Sequence, residues 1–210
     1  LVAELHDSAK RISAAVGGRL RDLELPKLNG QWSSLADAPK RQILRDVAAT
    51  AAVAQHLGPV RVEFVPASSL PKGVLARVTS SLVTDGERGV RIKYNRTVQI
   101  TDRFADLEKK NPLPDHAGAH RGPMANAIST VIEEVAHIRQ QKMADDFLAG
   151  NMPADAKAAR LAKWYVLNHA AYQRSGGVDR FHYGRQPMEE QAKTIARLVV
   201  NRMFDKEKAR

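Results

Sequence analysis

The order of patterns along the chain predicts an α+β fold. Helical periodicity occupies the first 57 residues, strict alternation then takes over, and helical periodicity returns after residue 123. Runs of helix before and after a run of strands, instead of regular alternation between them, place helices to one side of a small mixed sheet. The expected organisation is an N-terminal helical segment, residues 1–58, packed on a core formed by residues 59–210.

In the first segment Leu5, Ile12 and Val16 recur at helical spacing, and Gly17-Gly18 offers a stop. A loop is expected around Pro26, Asn29 and Gly30. Leu35, Ile43, Leu44 and Val47 then lead into the alanine-rich run Ala48 to Ala54, with Gly58-Pro59 as terminator. Val60 to Val65 alternates as a half-buried strand should, and Val74 to Val78 is a weaker strand candidate. Gly89 to Asn95 and Thr97 to Ile100 read as a strand with a break at Asn95, preceded by turn chemistry in Asp85-Gly86 and Arg88-Gly89. A polar loop from Asn111 to Pro123 separates these strands from three long helical patterns, Met124 to Ala149, Pro153 to Gln173 and Pro187 to Lys206. Pro187 suits the first turn of the third.

With 210 residues and 43% hydrophobic content the chain can build a sizeable core. No apolar run reaches membrane-spanning length. Leu1 to Asp7 is charged and amphipathic, unlike a signal peptide, and the missing initiator Met suggests a piece of a longer polypeptide. The absence of cysteine excludes disulfides, thiolate metal sites and a Cys nucleophile. Neither a Gly-rich phosphate loop nor a Gly-x-Ser-x-Gly elbow is present.

The net charge of +10 favours acidic partners. However, the 33 Lys and Arg are spread evenly, 16 before Asp106 and 17 after it, and aromatic residues make up only 5%. A spread charge solvates a surface, and stacking platforms for single strands are thin, so a nucleic-acid-directed role is the less favoured reading.

The chemistry concentrates in Ile132-Glu133-Glu134-Val135-Ala136-His137. On a helical wheel Val131, Ile132, Val135 and Ile138 gather on the core side, and Glu133, Glu134 and His137 point away from it. Glu133 and His137 are one turn apart, the spacing with which HExxH presents two ligands to one metal while the intervening Glu addresses bound water. Here the frame is EExxH. The plain alternative is a solvated helix side on which a Glu–His pair adds a few tenths of a kcal/mol.

Three segments in order resemble a zincin-like metallopeptidase domain found at the C-terminal ends of bacterial polymorphic toxins and type VI secretion effectors. They are Val131 to Gln140, where the family shows HExxH followed shortly by Gln; Tyr165 to Tyr172, with an Asn before an aromatic; and Tyr183-Gly184-Arg185-Gln186-Pro187-Met188-Glu189. The last matches a Tyr, then Gln-Pro, then a helix carrying a ligand Glu. The resemblance covers about residues 89 to 204. It implies metal-dependent peptide hydrolysis, with Glu133, His137 and Glu189 as metal ligands, Glu134 as general base and Tyr183 as donor to the oxyanion. It also implies that Val90 to Ile100 is an edge strand over the cleft, and that the chain is secreted into a target bacterial or host cell. A protein substrate and an acidic immunity protein would be its partners.

Zinc is the metal the family implies. Glu in place of the first His adds a carboxylate, which lowers zinc affinity and moves preference toward Mn²⁺, Fe²⁺ or Mg²⁺. An inactive pseudo-peptidase serving as a protein-binding module is the alternative. For Glu189 alone, a helix N-terminal acid facing the dipole is the simpler reading. His116 and His120 lie in the Pro/Gly-rich loop as solvent-exposed residues, one of which could reach the metal. His182 could line the cleft, and His169 packs or caps within the second long helix.

Overall fold

Met124, Ile128, Val131, Ile132, Val135 and Ile138 are all buried, and they lie on a helix that is covered nearly all round. That helix, α5 (Pro123–Leu148), is the axis of the molecule. The computed structural model describes residues 2–86, 89–109, 122–151, 155–174 and 187–204. Around α5 stand α1 (Val2–Arg19), α2 (Leu25–Gln31), α3 (Asp37–Ala54), α4 (Phe104–Glu108), α6 (Ala156–Arg174) and α7 (Pro187–Phe204). Packed directly against α5 are α2, α3, α4, α6 and α7, and α1 lies across α3 and α7.

The strands form two small sheets. In the first, β1 (Arg61–Val65) runs parallel to β5 (Thr97–Thr101), whose other edge pairs antiparallel with β2 (Ala76–Arg77). The second is a hairpin of β3 (Ser80–Asp85) and β4 (Gly89–Tyr94), in register from Ser80 opposite Tyr94 to Asp85 opposite Gly89. Mixed sheet and surrounding helices make the class α+β, as the pattern order predicts.

One apolar cluster joins Leu5, Ile12 and Val16 of α1 and Leu44 and Val47 of α3 to Val98 and Ile100 of β5, Ile128 and Ile132 of α5 and Ile195 and Val199 of α7. A second, smaller one holds Ile92, Ala144, Leu161 and Tyr165, with Met188 against it. The hairpin reaches this cluster through Arg91, which forms a two-pronged ion pair with Asp145 (2.8 and 2.7 Å), while the Ile92 N–H donates to the same carboxylate at 3.0 Å.

Several local expectations change. Gly17 and Gly18 do not end the first helix, which continues to Arg19 because burial of Val16 and Leu20 holds the turn that contains them. The expected loop at Pro26, Asn29 and Gly30 is the short helix α2. Asn29 has a specific task there: its Oδ1 accepts from the Met124 N–H at 3.1 Å and so caps the start of α5. Gly122 precedes that turn at φ 100°, and a Cβ on it would lie 2.6 Å from the Asn29 amide. Glycine is required twice over, by conformation and by space.

The span Val90 to Ile100 is not one edge strand. The chain breaks after Tyr94, where the Asn95 N–H donates to Thr79 O, and β4 and β5 enter different sheets, β5 at the centre of its own. The weak candidate at Val74 to Val78 shrinks to the two residues of β2. The second long helix is described from Ala156, and the third is described as far as Phe204, the rest of its expected span lying outside the described residues.

Candidate metal centre

Two helices supply the site. Glu133 and His137 are successive turns of α5, and Glu189 stands at the third position of α7, in the first turn that Pro187 opens. One ligand atom from each of the three falls within 4.8 Å of the others, so the group could hold a metal ion. His137 Nε2 and Glu189 Oε1 are 3.5 Å apart. Two donors on a tetrahedral ion at ~2.1 Å would stand about 3.4 Å from each other, so that edge of the site already has coordination spacing.

Glu133, Glu134 and Glu189 are at most 9% exposed, so the solvated-side reading of this face is incorrect. The helical wheel places Val131, Ile132, Val135 and Ile138 in the core correctly, but α7 covers the polar side as well. Periodicity shows two faces and is silent on whether the second meets water or another helix.

The electrostatics follow from this crowding. Burial works against a charge on His137, yet Glu189, through both charge and hydrogen bonding, then Glu134 and Glu133, outweigh it and raise its pKa to about 10. Three carboxylates bearing on one imidazole create a negative potential that a divalent cation would match.

Beneath the ligands lies a polar group that sequence reasoning left without a role. Gln140 Oε1 is 2.9 Å from His137 Nδ1, and Gln140 Nε2 donates to the Met188 carbonyl at 3.0 Å. Tyr165, buried on α6, donates its hydroxyl to Gln191 Oε1 at 2.7 Å. Burial above all drives the Tyr165 pKa upward. The available signal was that Gln140 and Tyr165 fall within two of the three segments carrying the resemblance.

Of the other candidates, Tyr183, His182, His116 and His120 lie outside the described residues. His169 is buried on α6, which lowers its pKa, and its Nε2 has no hydrogen-bond partner among the described residues. It does not belong to the Glu133–His137–Glu189 group. Asn168 bonds back to the Trp164 carbonyl at 3.0 Å within its own helix. No described helix is long and apolar enough to cross a membrane.

Comparison of the chain with family models, with curated proteins and with solved structures gives no match.

Proposed function

We propose that this chain is a zincin-like, metal-dependent peptide hydrolase, acting as the toxic domain of a secreted bacterial effector on a protein substrate in the target cell. The observation that carries the reading is the convergence of Glu133, His137 and Glu189 from two separate helices on one small buried volume. Burying a carboxylate is expensive without compensation, and three of them bear on a single imidazole here. The long helix with donors one turn apart, and a third donor opening a following helix, support the zincin-like assignment.

A bound ion would supply Lewis acidity and an activated water. The donor set of two carboxylates and one imidazole suits Zn²⁺ by family resemblance and Mn²⁺ or Fe²⁺ by its charge. Glu134, adjacent to the donors and buried like them, is the base that takes the proton from the attacking water and passes it to the leaving amine. Tyr183 as donor to the developing oxyanion rests on the sequence resemblance alone. An acidic immunity protein would fit the charge of +10.

Metal content tests the reading directly. Protein purified without chelators should carry close to one equivalent of zinc, manganese or iron, while less than about a tenth would leave a pseudo-peptidase that only binds protein. Cleavage of an unfolded protein substrate, and toxicity on expression, should both vanish in Glu134→Gln and Glu189→Ala. Equal toxicity in all three proteins would refute the site.

A further inference from the structure

We infer that Gln140 is the positioning residue of this centre, dictating which nitrogen of His137 faces Glu133 and Glu189 and tying the helix that carries His137 to the turn that carries Glu189. The inference rests on the metal-site reading for its purpose and on hydrogen-bond direction for its content.

The direction can be worked out from one fixed point. The Met188 carbonyl can only accept, so the Gln140 atom 3.0 Å from it must be the amide nitrogen. The amide oxygen is then the atom 2.9 Å from His137 Nδ1, and because that oxygen can only accept, Nδ1 must carry a hydrogen. His137 therefore turns Nε2 toward the carboxylates, 3.5 Å from Glu189 Oε1, and any proton an entering cation displaces is the one on Nε2. On α6, Tyr165 spends its own hydrogen on Gln191 Oε1 of α7. The hydrogens between the Met188 carbonyl, Gln140 and His137 Nδ1 thus have determined places.

The same amide fixes distance as well as tautomer. Met188 is the residue before Glu189, so a bond from α5 to its carbonyl holds the first turn of α7 in register with His137. Tyr165 of α6 bonds Gln191 of α7, and Met188 packs beside it in the second apolar cluster. One side chain therefore joins His137 on α5 to the first turn of α7.

The test measures binding of Zn²⁺ and Mn²⁺, each alone, by calorimetry, and reads His137 by nitrogen-15 NMR in the zinc-loaded protein. Gln140→Met keeps the bulk and removes the acceptor; both ions should bind about 10- to 100-fold more weakly. In the native protein the metal should perturb Nε2 while Nδ1 keeps its proton. Tyr165→Phe, which removes the hydroxyl that bonds Gln191 on α7, should give a smaller loss in the same direction, and the NMR reading of the native protein decides the matter if Gln140→Met does not fold. Affinities within about threefold of native in the folded variants, or metal found on Nδ1, would overturn the inference. If the native chain binds neither ion, the hydrolase reading falls separately. Exchange of the His137 Nδ1 hydrogen then decides the role of Gln140: shelter in native protein that is lost in the variant supports it, and equal exchange in both overturns it.

Discussion

Lys40 and Glu108 form one buried charged group in this protein, and Glu133, His137 and Glu189 form another, built on the opposite plan. In the first, the ammonium meets the carboxylate at 2.9 Å, and the second carboxylate oxygen takes the Ser33 hydroxyl at 2.9 Å. Lys40 also lies over the rings of Trp32 and Phe104, at 5.9 and 5.4 Å. One cation, one anion and their hydrogen bonds close the account, and the Glu108 backbone carbonyl further anchors Asn126 at the start of α5. In the second group three carboxylates bear on a single imidazole. The first arrangement fastens α3 and α4 together; the second gathers two carboxylates and an imidazole with ligand atoms within 4.8 Å of one another. The contrast separates a charged pair that balances itself from a group that could hold a cation.

Variants of the two groups should therefore fail in different assays. The largest effect expected is on affinity: Glu133→Gln should weaken metal binding by more than the ~100-fold typical of outer-shell changes, because it removes a donor. Its folding stability, measured with denaturant, should stay within about 1 kcal/mol of native or rise, since a like-charged neighbour is lost. Lys40→Met should reverse this pattern. It strands the buried Glu108 and should lower stability by about 3 kcal/mol while leaving metal affinity unchanged. If both variants lose stability alike, the distinction drawn between the groups collapses. Glu133→His sharpens it from the other side, since a gain in zinc affinity would place residue 133 among the donors.

A smaller and graded effect comes from pH. The folded-state pKa of His137 is raised to about 10, so at neutral pH a proton occupies the nitrogen that an ion needs. Affinity should rise by about tenfold per pH unit between pH 7 and 9 and level off above 10, as calorimetry in buffers of different ionisation heat would show. The smallest effect expected is at the hairpin. Burial opposes the charge on Asp145, but hydrogen bonds from Arg91 and the Ile92 N–H, and the nearby charges of Arg91 and Lys142, hold its pKa below the usual range. A depressed carboxylate contributes stability above its unfolded value, and that contribution disappears as pH falls through the folded one. Arg91→Met should therefore flatten the acid limb of the stability curve below pH 4 without altering metal affinity.

The sequence made the long helices and the strand at Val60 to Val65 legible because their apolar residues keep a single period, while the short α2 and α4 went unread. The one-turn spacing paired Glu133 with His137, and the family resemblance added Glu189 to them. What it hid has a common cause. Glu133, Glu134, Gln140 and Gln141 are polar yet buried, because α5 is enclosed by other helices on its polar side too. A single helix cannot announce that its polar stripe faces a partner whose carbonyl, at Met188, is forty-eight residues away. Strand β3 was missed for a related reason. Ser80, Ser81 and Thr84 carry little apolar signal, and its strand state is defined by pairing with β4. The division of 90–100 between two sheets turns on Asn95 and its bond to Thr79, a backbone contact with no residue-type signature.

The position of Glu189 in the chain has a temporal consequence. Glu133 and His137 can be brought side by side by α5 alone, but the third donor belongs to the last described helix. As the polypeptide emerges from its N-terminus, the donor set stays incomplete until that final helix docks. Occupancy by a cation that needs all three donors would then report that this helix has docked on α5.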